Sequence, residues 1–184
     1  MTLTRADDSH LLIVDIQEKL APAMPPDARR EVLATVQTLL TAASELAIPV
    51  VATEQYPKGL GHTVPDVSAH LPPDAAVVAK NSFSCCGEPR FTETVSATGR
   101  NQVVIAGMEA HVCVVQTAVE LLEAGYTPFV VADGVCSRRE AHKTNALDRL
   151  RALGVPVSNV ESVLFEWLQR AGTDEFRKLA RLIR

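Results

Sequence analysis

The apolar stretch Leu11-Leu12-Ile13-Val14, which ends at the acidic residue Asp15, decides the fold of this chain. Consecutive aliphatic residues bounded by polar ones are typical of a central strand in a parallel sheet, because such a strand is buried on both faces. Five further runs of this kind predict five more strands. They are Pro49–Thr53, Ala76–Ala79, Gln102–Ala106, Thr127–Ala132 and Val155–Val157.

Longer segments with a helical pattern separate these runs. They are Ala28–Leu46, Glu88–Thr98, Ala110–Ala124, Arg138–Leu153, Ser162–Arg170 and Asp174–Ile183. Gly125 and Gly154 follow two of these segments, where glycine commonly caps a helix. Because strands and helices alternate, the sequence predicts a three-layer α/β fold in which helices flank a mostly parallel sheet. A chain of 184 residues fits one domain, so we expect residues 1–184 to form a single unit.

Composition and charge exclude several classes of function. Hydrophobic residues make up 47% of the chain, which is enough to bury a core. The 18 basic and 22 acidic residues give a net charge of −4, which argues against nucleic-acid binding. The first ten residues are polar, and no apolar run is long enough to cross a bilayer. We therefore expect a cytoplasmic protein that binds neither membranes nor nucleic acids.

The four cysteines, Cys85, Cys86, Cys113 and Cys136, show no spacing typical of a zinc site. Adjacent cysteines also make a poor disulfide pair, so free thiols in a reducing cytosol are expected. A cysteine with a functional role is therefore expected to act as a reactive thiol, and not as part of a disulfide or a zinc site.

The carboxyl ends of the predicted strands select the residues to inspect, because ligands of open parallel sheets bind there. Asp15, Lys80 and Asp133 follow the first, third and fifth strands, and Gly107–Cys113 follows the fourth. Glu54, Gln55 and Tyr56 follow the second strand and begin an irregular loop, Gln55–Pro73, whose length indicates a functional or disordered segment.

An acid, an amine and a thiol at one edge of a sheet could carry out nucleophilic catalysis. A helix start at Cys113 and a nearby Lys80 would lower the pKa of the thiol. Asp15 could accept the thiol proton and return it to a leaving amine, while backbone N–H groups of Glu109 and Cys113 face an oxyanion. The alternatives are that Cys113 is a small buried hydrophobic residue and that Asp15 and Lys80 form an ion pair without catalysis.

Three ordered motifs resemble those of the isochorismatase-like cysteine hydrolases. They are Leu11–Gln17, Ala79-Lys80 and Ala106–Val114. The segments Thr53–Gly61 and Asp133–Arg138 are similar to the branch of isochorismatase domain-containing proteins. This resemblance covers about residues 8–182.

The resemblance implies a Rossmann-like six-stranded sheet of order 3-2-1-4-5-6. It also implies a triad in which Cys113 is the nucleophile, Asp15 the general acid and base, and Lys80 the charge that stabilises both. A cis peptide bond at Met108-Glu109 is implied as well, together with an oxyanion hole from the N–H groups of Glu109 and Cys113. Relatives form oligomers, so we expect a dimer or a larger homo-oligomer.

Two departures from the family pattern bear on the activity. Ala110 stands where many relatives have threonine, so a hydroxyl contact is lost there. Glu54-Gln55-Tyr56 stands where nicotinamidase relatives have their Asp-x-His metal motif, so we expect no metal and no other cofactor. A nicotinamidase-like amidase is therefore an alternative with less support.

The remaining candidates are residues that could line a substrate pocket or pack in ordinary loops. They are Leu20, Glu54, Gln55, Tyr56, Phe83 and Met108. The sequence as a whole indicates a metal-independent hydrolase of a C–N bond in a small amide-like or imide-like substrate, acting through a thioester. The main alternative is an idle binding or scaffolding member of the same fold. A dinucleotide-binding protein is disfavoured, because no glycine-rich turn follows the first strand.

Overall fold

A computed structural model describes residues 3–183, and the terminal residues 1, 2 and 184 of the expected domain lie outside that range. Six parallel strands form one sheet in the order β3-β2-β1-β4-β5-β6, which confirms the predicted fold class. The strands are β1 Ser9–Val14, β2 Val50–Gln55, β3 Ala76–Lys80, β4 Gln102–Met108, β5 Thr127–Cys136 and β6 Val157–Ser158.

Helices cover both faces of the sheet. They are α1 Pro26–Glu45, α2 Pro57–Leu60, α3 Pro65–Ser68, α4 Pro89–Ser96, α5 Val115–Glu123, α6 Glu140–Ala152, α7 Val160–Leu168 and α8 Asp174–Leu179. A π-helical turn, Ala110–Val114, leads directly into α5, and the loop expected at Gln55–Pro73 contains α2 and α3. Within residues 3–183 no helix has both the length and the apolar character of a bilayer span.

The core has two layers because alternate side chains of each strand point to opposite faces of the sheet. Leu11 and Ile13 of β1 belong to the layer that includes residues of α1, α7 and α8. Leu12 and Val14 belong to the layer that includes residues of α4, α5 and α6. The central strands β1 and β4 are therefore buried on both faces, as their apolar composition predicted, whereas the outer strand β3 is partly exposed.

Close contact between β1 and β4 depends on Gly107, which pairs with Val14. Its φ is +133°, and a Cβ atom there would lie 2.1 Å from the carbonyl oxygen of Val14. Only glycine fits this position without displacing the backbone. The close approach brings the end of β1 beside the turn that follows β4.

Strand β5 extends beyond its predicted end at Ala132 to Cys136. Asp133 therefore lies within the strand, and the expectation that it follows the carboxyl end of β5 is wrong. The β4–β5 pairing shifts register between Ile105 and Gly107, which keeps the later part of β5 in the sheet. The Asp133 carboxylate accepts a hydrogen bond from the N–H of Val160 at 3.0 Å, at the start of α7. Asp133 therefore helps to hold a helix in place.

Candidate active site

Asp15 lies directly after β1 with a left-handed backbone, φ 52°, and its side chain is fully buried. Its Oδ1 atom accepts a hydrogen bond of 2.7 Å from the hydroxyl of Thr53 on the neighbouring strand β2. Its Oδ2 atom lies 2.7 Å from Nζ of Lys80. A buried carboxylate needs such partners, because removing its charge from water is costly.

Lys80 ends β3 and is also fully buried, so the ion pair with Asp15 is shielded from solvent. Its ammonium group donates to Oε1 of Gln55 at 2.6 Å and to the carbonyl of Phe83 at 3.0 Å. Burial alone would lower the pKa of Lys80, but the charge and hydrogen bond of Asp15, together with the neighbouring thiols of Cys113 and Cys85, raise it. Lys80 therefore provides a fixed positive charge at neutral pH.

Cys113 lies in the π-helical turn before α5, and its thiol points toward the same ion pair. Its Sγ atom lies 4.0 Å from Oε1 of Gln55, and Cys113 is only 5% exposed. Burial raises the pKa of Cys113 to about 12 and the Asp15 carboxylate adds to this shift, while the charge of Lys80 opposes it. The expectation of a lowered thiol pKa is therefore wrong, since burial and Asp15 outweigh the effect of the ammonium. Any attack by sulfur requires Asp15 to take the proton.

This raised pKa predicts how Cys113 reacts with an alkylating agent. Thiolate is the reactive species, so labelling by iodoacetamide should rise about tenfold per pH unit from pH 7 to pH 9. Mass spectrometry of the labelled peptide after short exposures measures the rate. A labelling rate at Cys113 that already levels off below pH 7 would show a pre-formed thiolate and contradict the prediction.

Gln17 and Gln55 form a link that sequence reasoning did not identify. The fully buried Gln17 donates through Nε2 to the carbonyls of Gln55 and Gly61, at 3.0 and 2.7 Å, and accepts the N–H of Gln55 at 2.7 Å. Gln55 in turn contacts Lys80 through its side chain. The one available signal was the position of Gln17, two residues after Asp15 at the carboxyl end of the first strand. Gln55 thus holds the Lys80 ammonium, whereas it was expected to orient substrate.

Glu54 holds the loop in place, and its expected role in orienting substrate stays a prediction. Its buried carboxylate accepts from the N–H and hydroxyl of Thr63, at 2.7 and 3.0 Å, and lies 3.0 Å from Nδ1 of His62. Burial acts to raise the pKa of Glu54, but these hydrogen bonds outweigh it and lower the pKa. Both oxygens are therefore already used within the protein.

The remaining pocket candidates divide into buried and exposed residues. Met108 is fully buried in the core layer next to α1, and the half-buried Leu20 packs against the same layer, so a role for either in a substrate pocket stays a prediction. Cys113 belongs to the opposite layer. Tyr56 and Phe83 are 55% and 56% exposed. Tyr56 and Lys80 line a cavity of about 270 Å³.

The turn before Cys113 contains a cis peptide bond between Met108 and Glu109. Within residues 3–183 no group of three or more His, Cys, Asp or Glu side chains is arranged to hold a metal ion.

The structure brings Asp15, Lys80 and Cys113 together at the carboxyl ends of the strands.

The sheet order 3-2-1-4-5-6 with helices on both faces matches the fold of isochorismatase-like hydrolases. The chain belongs to the isochorismatase family, since the family model described as "Isochorismatase domain" matches residues 9–162.

Relatives and solved structures agree with this assignment. Isochorismatase domain-containing protein 2 of Danio rerio is 39% identical over 176 residues, which cover 95% of this chain and 86% of that protein. The structure of MAR1 ribonuclease from Caenorhabditis elegans has a TM-score of 0.93 and 34% identity, over 99% of this chain and 92% of that one. The YcaC gene product of Escherichia coli, described as an octameric hydrolase of unknown specificity, has a TM-score of 0.91 and 28% identity, over 100% and 90%.

Proposed function

We propose that this protein is a metal-independent cysteine hydrolase that cleaves a C–N bond in a small amide or imide. The observation that carries the proposal is the fully buried pair of Asp15 and Lys80, 2.7 Å apart, next to the thiol of Cys113. These groups supply a base, a positive charge and a nucleophile at one point.

The reaction begins when the sulfur of Cys113 attacks the substrate carbonyl carbon and the thiol proton moves to Asp15. The negative charge on the carbonyl oxygen is stabilised by the backbone N–H groups of Glu109 and Cys113. The C–N bond then breaks, and Asp15 gives its proton to the leaving nitrogen, which yields an amine or ammonia and a thioester. Asp15 next takes a proton from water, whose oxygen attacks the thioester; the C–S bond then breaks, the carboxylic acid is released, and the proton on Asp15 returns to the sulfur of Cys113. Lys80 keeps a positive charge beside Asp15 at each stage.

The small contribution of a buried ion pair to stability supports a catalytic role for this pair over an idle binding or scaffolding protein. A buried ion pair contributes little to stability in comparison with well-packed apolar side chains of the same volume. Both side chains here are 0% exposed, and both act on the charge state of the Cys113 thiol. The pKa values of Lys80 and Cys113 are raised, and groups with shifted pKa values cluster at functional sites more often than elsewhere.

We also propose that the protein is a homo-oligomer of two or more chains in a reducing compartment such as the cytoplasm. The octameric state described for the E. coli YcaC gene product supports assembly. Four free cysteines support a reducing environment.

A panel of small amides and imides tests the proposed reaction, with release of ammonia or amine followed for the amides and formation of the amide and acid product followed for the imides. We expect turnover of at least one compound, and a rate that exhaustive EDTA treatment changes by no more than about twofold, because sulfur and not a metal-bound water attacks. Single-stranded RNA belongs in the same panel, since one structural relative is named a ribonuclease. Cleavage of RNA without turnover of any amide, or loss of amide turnover on chelation, would contradict the proposal.

A further inference from the structure

The side chain of Glu109 connects two turns at the edge of the sheet. It is 7% exposed, and its Oε2 atom accepts a hydrogen bond from the backbone N–H of Arg138 at 2.9 Å. The guanidinium Nε of Arg138 lies 3.1 Å from each carboxylate oxygen of Glu109. The carboxylate thus joins the turn after β4, which leads to Cys113, to the turn after β5.

His111 and Ser137 provide a second link between the same two turns. Nδ1 of His111 lies 3.0 Å from the hydroxyl of Ser137, and the His111 ring lies 4.6 Å from the ring of His142 on α6. Ser137 is almost fully buried. Both links lie just beyond the last paired residues of the two strands, Met108 and Cys136.

The two links lie beyond the end of the β4–β5 ladder, and this position indicates which segment of the chain they hold in place. The ladder between β4 and β5 already joins the two strands as far as Met108, so the sheet does not require the Glu109 carboxylate. Beyond Met108, the links hold the segment from residue 109 to Cys113. That segment contains both backbone N–H groups assigned above to the oxyanion.

We propose that the Glu109 carboxylate, held by Arg138, is a positioning residue that fixes the oxyanion-binding N–H groups of the Cys113 turn. This inference rests on the proposed function and adds a role for a side chain that contacts no reacting atom. Preorganised donors act only when charge develops on the carbonyl oxygen, and loss of one such donor costs about 10²–10³ in rate. An N–H donor that is displaced but not removed should therefore lower the rate by only a part of that factor.

Two reactions of the Cys113 sulfur distinguish an effect on the oxyanion-binding N–H groups from an effect on the reactivity of the thiol itself. In acylation by p-nitrophenyl acetate, sulfur bonds to the carbonyl carbon, negative charge forms on the carbonyl oxygen, and p-nitrophenolate leaves while Asp15 takes the thiol proton. In alkylation by iodoacetamide, sulfur displaces iodide from a saturated carbon, and no oxyanion forms. Both reactions can be followed on the full chain at pH 8.5.

We expect Glu109→Ala to slow acylation of Cys113 by about 10- to 100-fold and to change alkylation by no more than about threefold. Glu109→Gln should recover most of the acylation rate, because its amide oxygen can still accept the N–H of Arg138. Asp148→Ala removes a carboxylate from the exposed ion pair with Arg151 and serves as the matched control, with both rates unchanged.

Parallel loss of both rates in Glu109→Ala, or no loss of acylation, would overturn the inference. Should Glu109→Ala not fold, Arg138→Gln gives the same comparison at a 60% exposed side chain, with an expected loss of about threefold to tenfold in acylation alone. Failure of the proposed function has a different signature, since wild-type protein would then show no acylation that depends on Cys113.

Discussion

Replacing Cys113 with alanine should lower turnover of the best amide in the panel by roughly 10³-fold or more, because the covalent route disappears. Asp15 and Lys80 also influence the thiol of Cys85, but that residue is 0% exposed whereas Cys113 is 5% exposed, so we expect that Cys85 does not take over the reaction. Thermal stability should change little, since the substitution removes one small side chain at the edge of the core. Initial rates of ammonia release and a melting curve for the same preparation measure the two effects.

Cys136→Ala is the matched control for this substitution. Cys136 is 1% exposed and burial also raises the pKa of its thiol to about 12, but it packs in the core layer next to α1. Its activity should therefore stay close to that of the wild type. Retention of more than about a tenth of the activity in Cys113→Ala would show that sulfur is not the nucleophile.

Replacing Lys80 with methionine should destabilise the fold by about 3–5 kcal/mol, because a fully buried Asp15 would lose its counter-charge. Methionine keeps most of the volume of the lysine side chain, so the effect should come from charge and hydrogen bonding and not from a cavity. Activity should fall as well, since no cation would remain beside the base. Urea unfolding followed by circular dichroism measures the free energy of unfolding.

The double variant Asp15→Asn with Lys80→Met separates the unpaired charge from other effects. Asparagine tolerates the left-handed backbone of residue 15, where φ is 52°, and removes the buried negative charge. We expect the double variant to be more stable than Lys80→Met alone, as a double-mutant cycle requires for coupled partners. A double variant no more stable than Lys80→Met would show that the ion pair is not the source of the loss.

Features set by local pattern could be predicted from the sequence. Apolar runs such as Leu11–Val14 marked the strands because a strand buried on both faces must be apolar throughout. The rule that ligands of parallel sheets bind at the carboxyl ends of strands selected Asp15, Lys80 and the turn of Cys113, which the structure brings together. The end of β5 was missed, because Asp133 and Gly134 resemble a turn and only the register shift against β4 keeps them in the sheet.

The charge state of the thiol depends on contacts between distant parts of the chain. A helix start and a lysine predicted a lowered pKa for Cys113, but burial and the carboxylate of Asp15 from another strand raise it. For the same reason, the sequence did not show that Glu54 is held by Thr63, or that Glu109 is held by Arg138. The strands, the family motifs and the residue types at the carboxyl ends of the strands follow from local pattern and could therefore be predicted. Which side chains are buried together depends on contacts between distant segments, and that burial sets the protonation and hydrogen bonding on which the chemistry depends.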